Sequence, residues 1–460
     1  RALQSKAGMS GKPLRVIVEF EAPAAPAPWI LGGHALDAAT TADLRGRQAQ
    51  ILSRALGVDP ALTRADAAPA TLMDFTPMMA LEADAATLAR LAADPLVKRI
   101  VEDRLEIPHM PQIVGLVGMT GSKGAYKLKA DGRGRAVAII DSGVDKSHEF
   151  LRRKVISEAC YGTNDKGIGS TSLCPRKRRA STAAGSGKDC PKSISGCGHG
   201  THVAGIAAGR NRSFNRGEPK TGIARNSAIV AIKVFSKFDN VSLCGFNNPC
   251  ILAFQGDIIK GLERVYKLRN GVSGRKIDAV NLSLGGGSSS VYCNSDPRAP
   301  IIQKLRDAGI AAVISSGNAG NRNGVAAPGC IEQAVTIGAS TKKAKGKPER
   351  IASYSNQGPQ VDIVAPGGDG GYPFASNKSF ILSSFQGGYA GLAGTSMAAP
   401  AVSGAFAAIR SRKGCQNKTV DEIEAALKSV GPTISDQRPG GSTSNRRLHV
   451  SQAIKKLGCG

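Results

Sequence analysis

Arg135-Ala136-Val137-Ala138-Ile139-Ile140-Asp141-Ser142-Gly143 is the stretch on which the fold turns. An unbroken apolar run that ends in a turn reads as a strand covered on both faces, the kind that builds parallel sheets. Similar strand candidates recur at Ala228–Val234, Ile277–Leu284, Ile310–Ser315, Ala334–Ala339 and Val361–Ala365. Helical patterns lie between or after them, at Gln255–Leu268, Pro300–Ala308, Val420–Val430 and Val450–Leu457. This alternation predicts an α/β domain with a mostly parallel sheet flanked by helices. In such sheets the ligand crevice lies beyond the carboxyl ends of the strands, and Asp141, Ser283 and Asn318 each follow a strand's apolar run.

Upstream the pattern differs. Leu14–Phe20, Thr71–Leu81 and Val97–Glu102 read as strands, the second interrupted by Pro77. Asp43–Leu56 reads as a helix, and a shorter helix follows Asp84 as an acidic N-cap and stops before Pro95. With one more strand hidden in the Ala/Pro-rich part, the expectation is a small α+β unit of ferredoxin-like βαββαβ order. Pro108-His109-Met110-Pro111 breaks the pattern, which puts the two domains at 1–109 and 110–460.

The chain has 460 residues and 10 cysteines, none before Cys160. That usage favours an exported, disulfide-bonded protein over a cytosolic one. Metal spacing is lacking, since no Cys-x-x-Cys pair occurs. Pairing neighbour with neighbour gives Cys160–Cys174, Cys190–Cys197, Cys244–Cys250, Cys293–Cys330 and Cys415–Cys459, although spacing alone leaves the connectivity open. No apolar run approaches the ~20 residues of a membrane span. The first residue is Arg1 rather than Met, and a removed leader is the expectation.

The net charge of +26 is unevenly placed: 12 basic face 13 acidic residues up to His109, so the excess lies beyond. Such a charge suits a polyanion or an anionic cell surface, but few aromatics and no recognisable motif argue against specific nucleic-acid binding. Arg176-Lys177-Arg178-Arg179 is most simply a solvated loop, with polyanion docking or a processing site as alternatives.

The chemistry gathers around Gly394-Thr395-Ser396-Met397-Ala398-Ala399-Pro400, which leads into an apolar helical run. A serine there sits in the first turn of a buried helix, where free backbone N–H groups and the dipole favour developing negative charge. A serine hydroxyl is a poor nucleophile without an adjacent base, itself held by a third group. Of six histidines, His199 in Gly198-His199-Gly200-Thr201-His202-Val203-Ala204-Gly205 is best placed to project into a crevice, with His202 one turn on as a packed neighbour. Asp141 suits the orienting carboxylate, because an apolar strand delivers it and a turn follows; Asp145 lies in a polar turn and ranks below. Asn318, in Ser315-Ser316-Gly317-Asn318, can offer its amide to an oxyanion, beside the backbone N–H of Ser396.

Asp141-Ser142-Gly143, Gly198 to Gly205, Ser316-Gly317-Asn318 and Gly394 to Pro400 occur in the order Asp, His, Asn, Ser. That order with those flanks closely resembles the subtilisin-like serine peptidases, or subtilases, over roughly Val114 to Ala453. Gly222-Ile223-Ala224 and Ala365-Pro366-Gly367 add to the likeness. The resemblance implies a secreted, monomeric endopeptidase acting on polypeptides through Ser396, His199 and Asp141, with Asn318 and the Ser396 N–H holding the oxyanion. It implies that Ser283-Leu284-Gly285 pairs with substrate backbone by β-augmentation, and that Gly317 contacts substrate nearby. The N-terminal unit resembles, more weakly, an inhibitory propeptide whose tail, Leu105 to Pro111, would lie in the cleft and be cut near its end; this form would be the zymogen. No cofactor is implied for the chemistry and no metal in the site. Structural calcium is left open, but the usual first site looks lost: the position nine residues after Asp141 is Phe150, and the loop before Gly222 has Glu218 as its one carboxylate. Ala319 replaces the acidic residue that some relatives carry after the asparagine.

Overall fold

The computed structural model describes Leu3, Ala7 and residues 13–21, 38–57, 70–72, 78–102, 113–213, 217–341, 348–369, 380–441 and 443–460. The chain forms two compact units, Arg1–Ile107 and Pro108–Gly460.

In the first unit, strand Leu14–Phe20 is central, antiparallel to both Met78–Ala83 and Val97–Glu102. Its period of two buries Val16, Val18 and Phe20 on one face. The single strand expected over Thr71–Leu81 is instead two. Ala70–Leu72 turns back on Met78–Ala83, with Ala70 opposite Leu81 and Leu72 opposite Met79. That pair supplies the strand sought in the Ala/Pro-rich segment, which lies outside the described residues. Helices Ala38–Leu56 and Ala85–Ala93 complete a βαββαβ order. Asp84 caps the second, accepting from Thr87 N–H at 2.7 Å. Arg54 from the first helix holds Asp94 with two bonds, of 2.7 and 3.0 Å. The segment Leu105 to Pro111 lies outside the described residues.

The second unit is built on one eight-stranded sheet. Its order is Ile363–Pro366, Val335–Ser340, Ala311–Ser315, Lys276–Leu282, Arg135–Asp141, Ala228–Lys233, Val155–Tyr161 and Ala180–Ser181. All pairings are parallel except the last. Alternate residues of Arg135–Asp141 serve opposite faces. Val137 and Ile139 join a core with helices His199–Ala208 and Thr395–Ser411, while Ala136, Ala138 and Ile140 join one with Gln255–Lys267 and Ala299–Asp307. The sequence reading passed over Val155–Tyr161 because Ser157 and Glu158 interrupt its apolar run; Glu158 is buried all the same, accepting from Lys146 at 2.6 Å and Gly185 N–H at 2.9 Å. Helix Thr395–Ser411 runs through the middle of its core, and Ser396 and Ser411 near its ends are the exceptions to its burial. An all-round apolar helix belongs inside a domain. The five disulfides pair neighbours as spacing suggested, all in this unit. Among the described residues no helix is long and apolar enough to cross a membrane.

Candidate active site

Asp141 ends its strand fully buried, with Oδ1 accepting from the Ser142 N–H at 2.7 Å. His199 opens helix His199–Ala208 behind Gly198, whose φ of +94° favours glycine. The imidazole Nδ1 lies 2.9 and 3.0 Å from the two Asp141 oxygens. A ring nitrogen facing a carboxylate carries the proton, which leaves Nε2 as the basic nitrogen. Burial alone would lower the His199 pKa; the charge and hydrogen bond of Asp141, and then the charge of Asp189, outweigh it and raise the pKa above the ordinary value. Gly200 is required for the approach, since a Cβ there would lie 2.3 Å from the Gly143 carbonyl oxygen.

Ser396 is the second residue of its helix, so its N–H has no partner within the helix. Its hydroxyl donates to the Ser283 carbonyl at 3.3 Å rather than to His199. Asn318 Oδ1 accepts from both the N–H and the hydroxyl of Thr395, at 2.9 and 2.8 Å. Two donors on one oxygen fix the amide's orientation, and Nδ2 must face the other way. A Cβ on Gly394 would lie 3.4 Å from Asn318 Nδ2 and 3.6 Å from Ser396 N, so both donors border one point.

Asp141, His199, Ser283, Leu284 and Gly285 line a single cleft of ≈ 600 Å³, with Ile251, Leu252 and Ala253 on another wall. Gly317, at φ +102°, has no room for a side chain against Asn356 Nδ2, 2.5 Å from an added Cβ, and donates its N–H to Thr395 Oγ1 at 3.2 Å. Among residues the sequence reading singled out, His202 is neutral and packed: burial lowers its pKa to about 3, and Nε2–H donates to the Ile381 and Ala390 carbonyls at 3.1 and 3.0 Å. Asp145 bonds locally, its Oδ1 accepting from Ser147 N–H at 3.0 Å, and takes no part in the His199 contact.

Four supporting residues went unread in the sequence. Asp189 is nearly buried and accepts from the Ser142 hydroxyl at 3.0 Å, Gly198 N–H at 3.2 Å and the Thr201 hydroxyl, tying the Asp141 turn to the His199 helix. Asn356 Oδ1 holds Ala319 and Asn321 N–H groups, each at 3.0 Å, and so fixes the loop after Asn318. Thr395 orients the Asn318 amide, as above. Asn281 is fully buried in a central strand. A polar residue inside an apolar run was the available signal for Asn281, and a carboxylate at the mouth of the closely spaced Cys190–Cys197 pair was the signal for Asp189.

A calcium ion does not fit at Phe150. The ring is buried against helix His199–Ala208, within 3.1 Å of where a Gly205 Cβ would lie and 2.1 Å of one on Gly209, and it offers no oxygen.

Comparison with known proteins gives the family. A family model described as Subtilase family matches residues 132–442. A subtilisin-like protease of Coccidioides posadasii is 29% identical over 326 residues, covering 70% of this chain and 63% of that protein. The chain thus spans a little under two thirds of that relative's length. Subtilisin-like protease 4 of Trichophyton equinum is 27% identical over 377 residues, covering 77% of this chain and 76% of that one. A solved protease structure from Pseudoalteromonas arctica shares the fold, with a TM-score of 0.56 at 24% identity over 76% of this chain and 100% of that one. The chain belongs to the subtilase family.

Proposed function

We propose that this chain is a secreted serine endopeptidase, monomeric, and here in zymogen form with the N-terminal unit as its own inhibitor. The observation that supports the reading is that the Asp141–His199 pair and Ser283 line one cleft, while the helix-start Ser396 hydroxyl bonds the Ser283 carbonyl and Thr395 holds the Asn318 amide next to that helix start. Ser396 Oγ turns from the Ser283 carbonyl toward His199 Nε2, loses its proton to it and attacks the substrate carbonyl. The tetrahedral oxyanion takes hydrogen bonds from Asn318 Nδ2 and Ser396 N–H. His199, now an imidazolium stabilised by Asp141, returns the proton to the leaving amine. Water then enters, gives a proton to His199, and cleaves the acyl-enzyme by the same route in reverse. Residues Ser283 to Gly285 offer backbone groups to an extended polypeptide, and Gly317 is the further substrate contact that the family resemblance implies. No cofactor or metal enters any step.

The ten cysteines, all bridged, support export into an oxidising compartment. The test is labelling with a serine-directed fluorophosphonate before and after incubation, with mass spectrometry of the product. The expected result is a new N-terminus near residue 110 and modification at Ser396. A processed form that neither labels at Ser396 nor cleaves casein overturns the proposal.

A further inference from the structure

Helix Thr395–Ser411 contains Pro400, four residues after Ser396. In an α-helix the N–H of residue i bonds the carbonyl of residue i−4. Proline has no N–H, so the Ser396 carbonyl is denied its helical partner at the turn that presents the nucleophile. A carbonyl buried without a donor is costly, and another group has to supply one. Here the donor is the Ser283 hydroxyl, 2.8 Å from the Ser396 carbonyl oxygen.

Ser283 does not act alone. Its Oγ accepts from Asn281 Nδ2 at 2.9 Å, and Asn281 Oδ1 accepts from the Ser403 hydroxyl at 3.0 Å. Because Asn281 Nδ2 can only donate, the Ser283 hydroxyl is the acceptor in that bond, and its own proton goes to the Ser396 carbonyl. Asn281, Ser283 and Ser403 are all buried, so each bond is strengthened by the low local dielectric. The relay begins and ends on the same helix, two turns apart, and passes through the strand that borders the cleft.

We propose that Ser283 is a positioning residue for Ser396: its hydroxyl replaces the hydrogen bond that Pro400 withholds and fixes the first helical turn, and with it the Ser396 N–H that serves the oxyanion. This is separate from any backbone contact Ser283 makes with substrate, and it rests on the peptidase reading above. Helix-start geometry is set by a side chain from the sheet, so the nucleophile and the substrate-pairing segment move as one piece.

The experiment is a double-mutant cycle on the processed enzyme with a peptide substrate. Ser283→Ala should lower kcat about tenfold with KM little changed, since an unsatisfied carbonyl loosens the turn without removing a side-chain contact to substrate. Ser283→Thr, which keeps the hydroxyl, should retain activity within a factor of about three. Pro400→Ala restores an N–H at the right place, so Ser283→Ala should cost at most about twofold in that background. Circular dichroism and fluorophosphonate titration establish that each variant is folded and count its active sites. Equal losses from Ser283→Ala in the two backgrounds overturn the proposal, as does a loss confined to KM. A wild-type enzyme that fails to label at Ser396 sinks the peptidase reading instead, so the two failures are distinguishable.

Discussion

Asn318→Ala should lower kcat about 10²–10³-fold with KM nearly unchanged, because the amide meets charge that exists only in the transition state. That magnitude comes from subtilisin and is carried over by family; the direction follows from this geometry, in which Thr395 leaves Asn318 Nδ2 free to donate. Steady-state kinetics on a peptide amide check it, and a variant that changes KM alone contradicts the role. His199 gives a second expectation at the same scale. The base must be neutral to accept the Ser396 proton, and its pKa is raised mainly by Asp141, against burial. The acid limb of kcat/KM therefore has its midpoint above the ordinary histidine value of about 6.5. Asp141→Asn should move that limb to lower pH and cut kcat by about 10⁴, the loss known for the equivalent change in trypsin. A pH–rate profile whose limb stays in place would show that Asp141 does not set the His199 pKa.

Helix His199–Ala208 carries two histidines one turn apart with opposite electrostatic fates, and stability should record both. His202 is held neutral with a pKa of about 3, so protonation favours the unfolded chain. No penalty applies above the unfolded value near 6.5; stability falls as pH drops from there toward 3, by up to roughly 5 kcal/mol. His199 has the reverse sign. Its raised pKa contributes stability below about 6.5 that is lost as pH rises through the folded pKa. Urea unfolding of the Ser396→Ala protein at pH 7 and pH 4 should show a marked acid loss, and His202→Gln should remove much of the slope. An unchanged slope would mean that other groups dominate the acid limb. Why the sequence disclosed some of this helix and not the rest is physical. The Gly-His-Gly-Thr-His pattern announced a tight helix start, and the apolar run behind Asp141 announced a buried strand, because both are local properties of the chain. The hairpin Ile381–Leu392 is not local: its Ser383 and Ser384 hydroxyls bond the His202 and Thr201 carbonyls at 2.7 and 2.9 Å, across more than 180 residues of chain. Asp189 is silent for the same reason, since its partners Ser142 and Thr201 come from two different elements. Thr71–Leu81 misread as one strand shows the converse limit, where a return of the chain left no local pattern strong enough to split it.

At the scale of the whole second unit, the site occupies one pole of the sheet and a charged cluster the other. The strands that end at Asp141 and Leu282 begin near Arg135 and Asp278, and the helix whose second residue is Ser396 ends near Arg410. Arg135 Nε donates to Asp278 Oδ2 at 2.7 Å, its Nη2 to Asp278 Oδ1, and Arg410 Nη1 to the same Oδ1 at 3.3 Å. Arg410 also donates to the Gly309 and Lys418 carbonyls, at 2.5 and 2.9 Å. The strands that lead to Asp141 and Ser283 and the helix that carries Ser396 are thus pinned together at their far ends by one buried carboxylate between two guanidiniums. A buried ion cluster is weak evidence of net stabilisation, but removing its shared partner leaves like charges uncompensated. Asp278→Asn should therefore destabilise the domain by about 3–5 kcal/mol, read from urea unfolding in the Ser396→Ala background. Adding Arg135→Met, which withdraws one of the two stranded cations, should recover part of that loss. Because the cluster is a strand's length from the cleft, Asp278→Asn in the active protein should leave kcat/KM of the folded fraction near wild type. A cost below about 1 kcal/mol would place the cluster in water rather than in the core. A normal stability with impaired kcat would instead make the far pole part of the catalytic geometry, since strands and helix are rigid enough to carry a displacement at one end to the other.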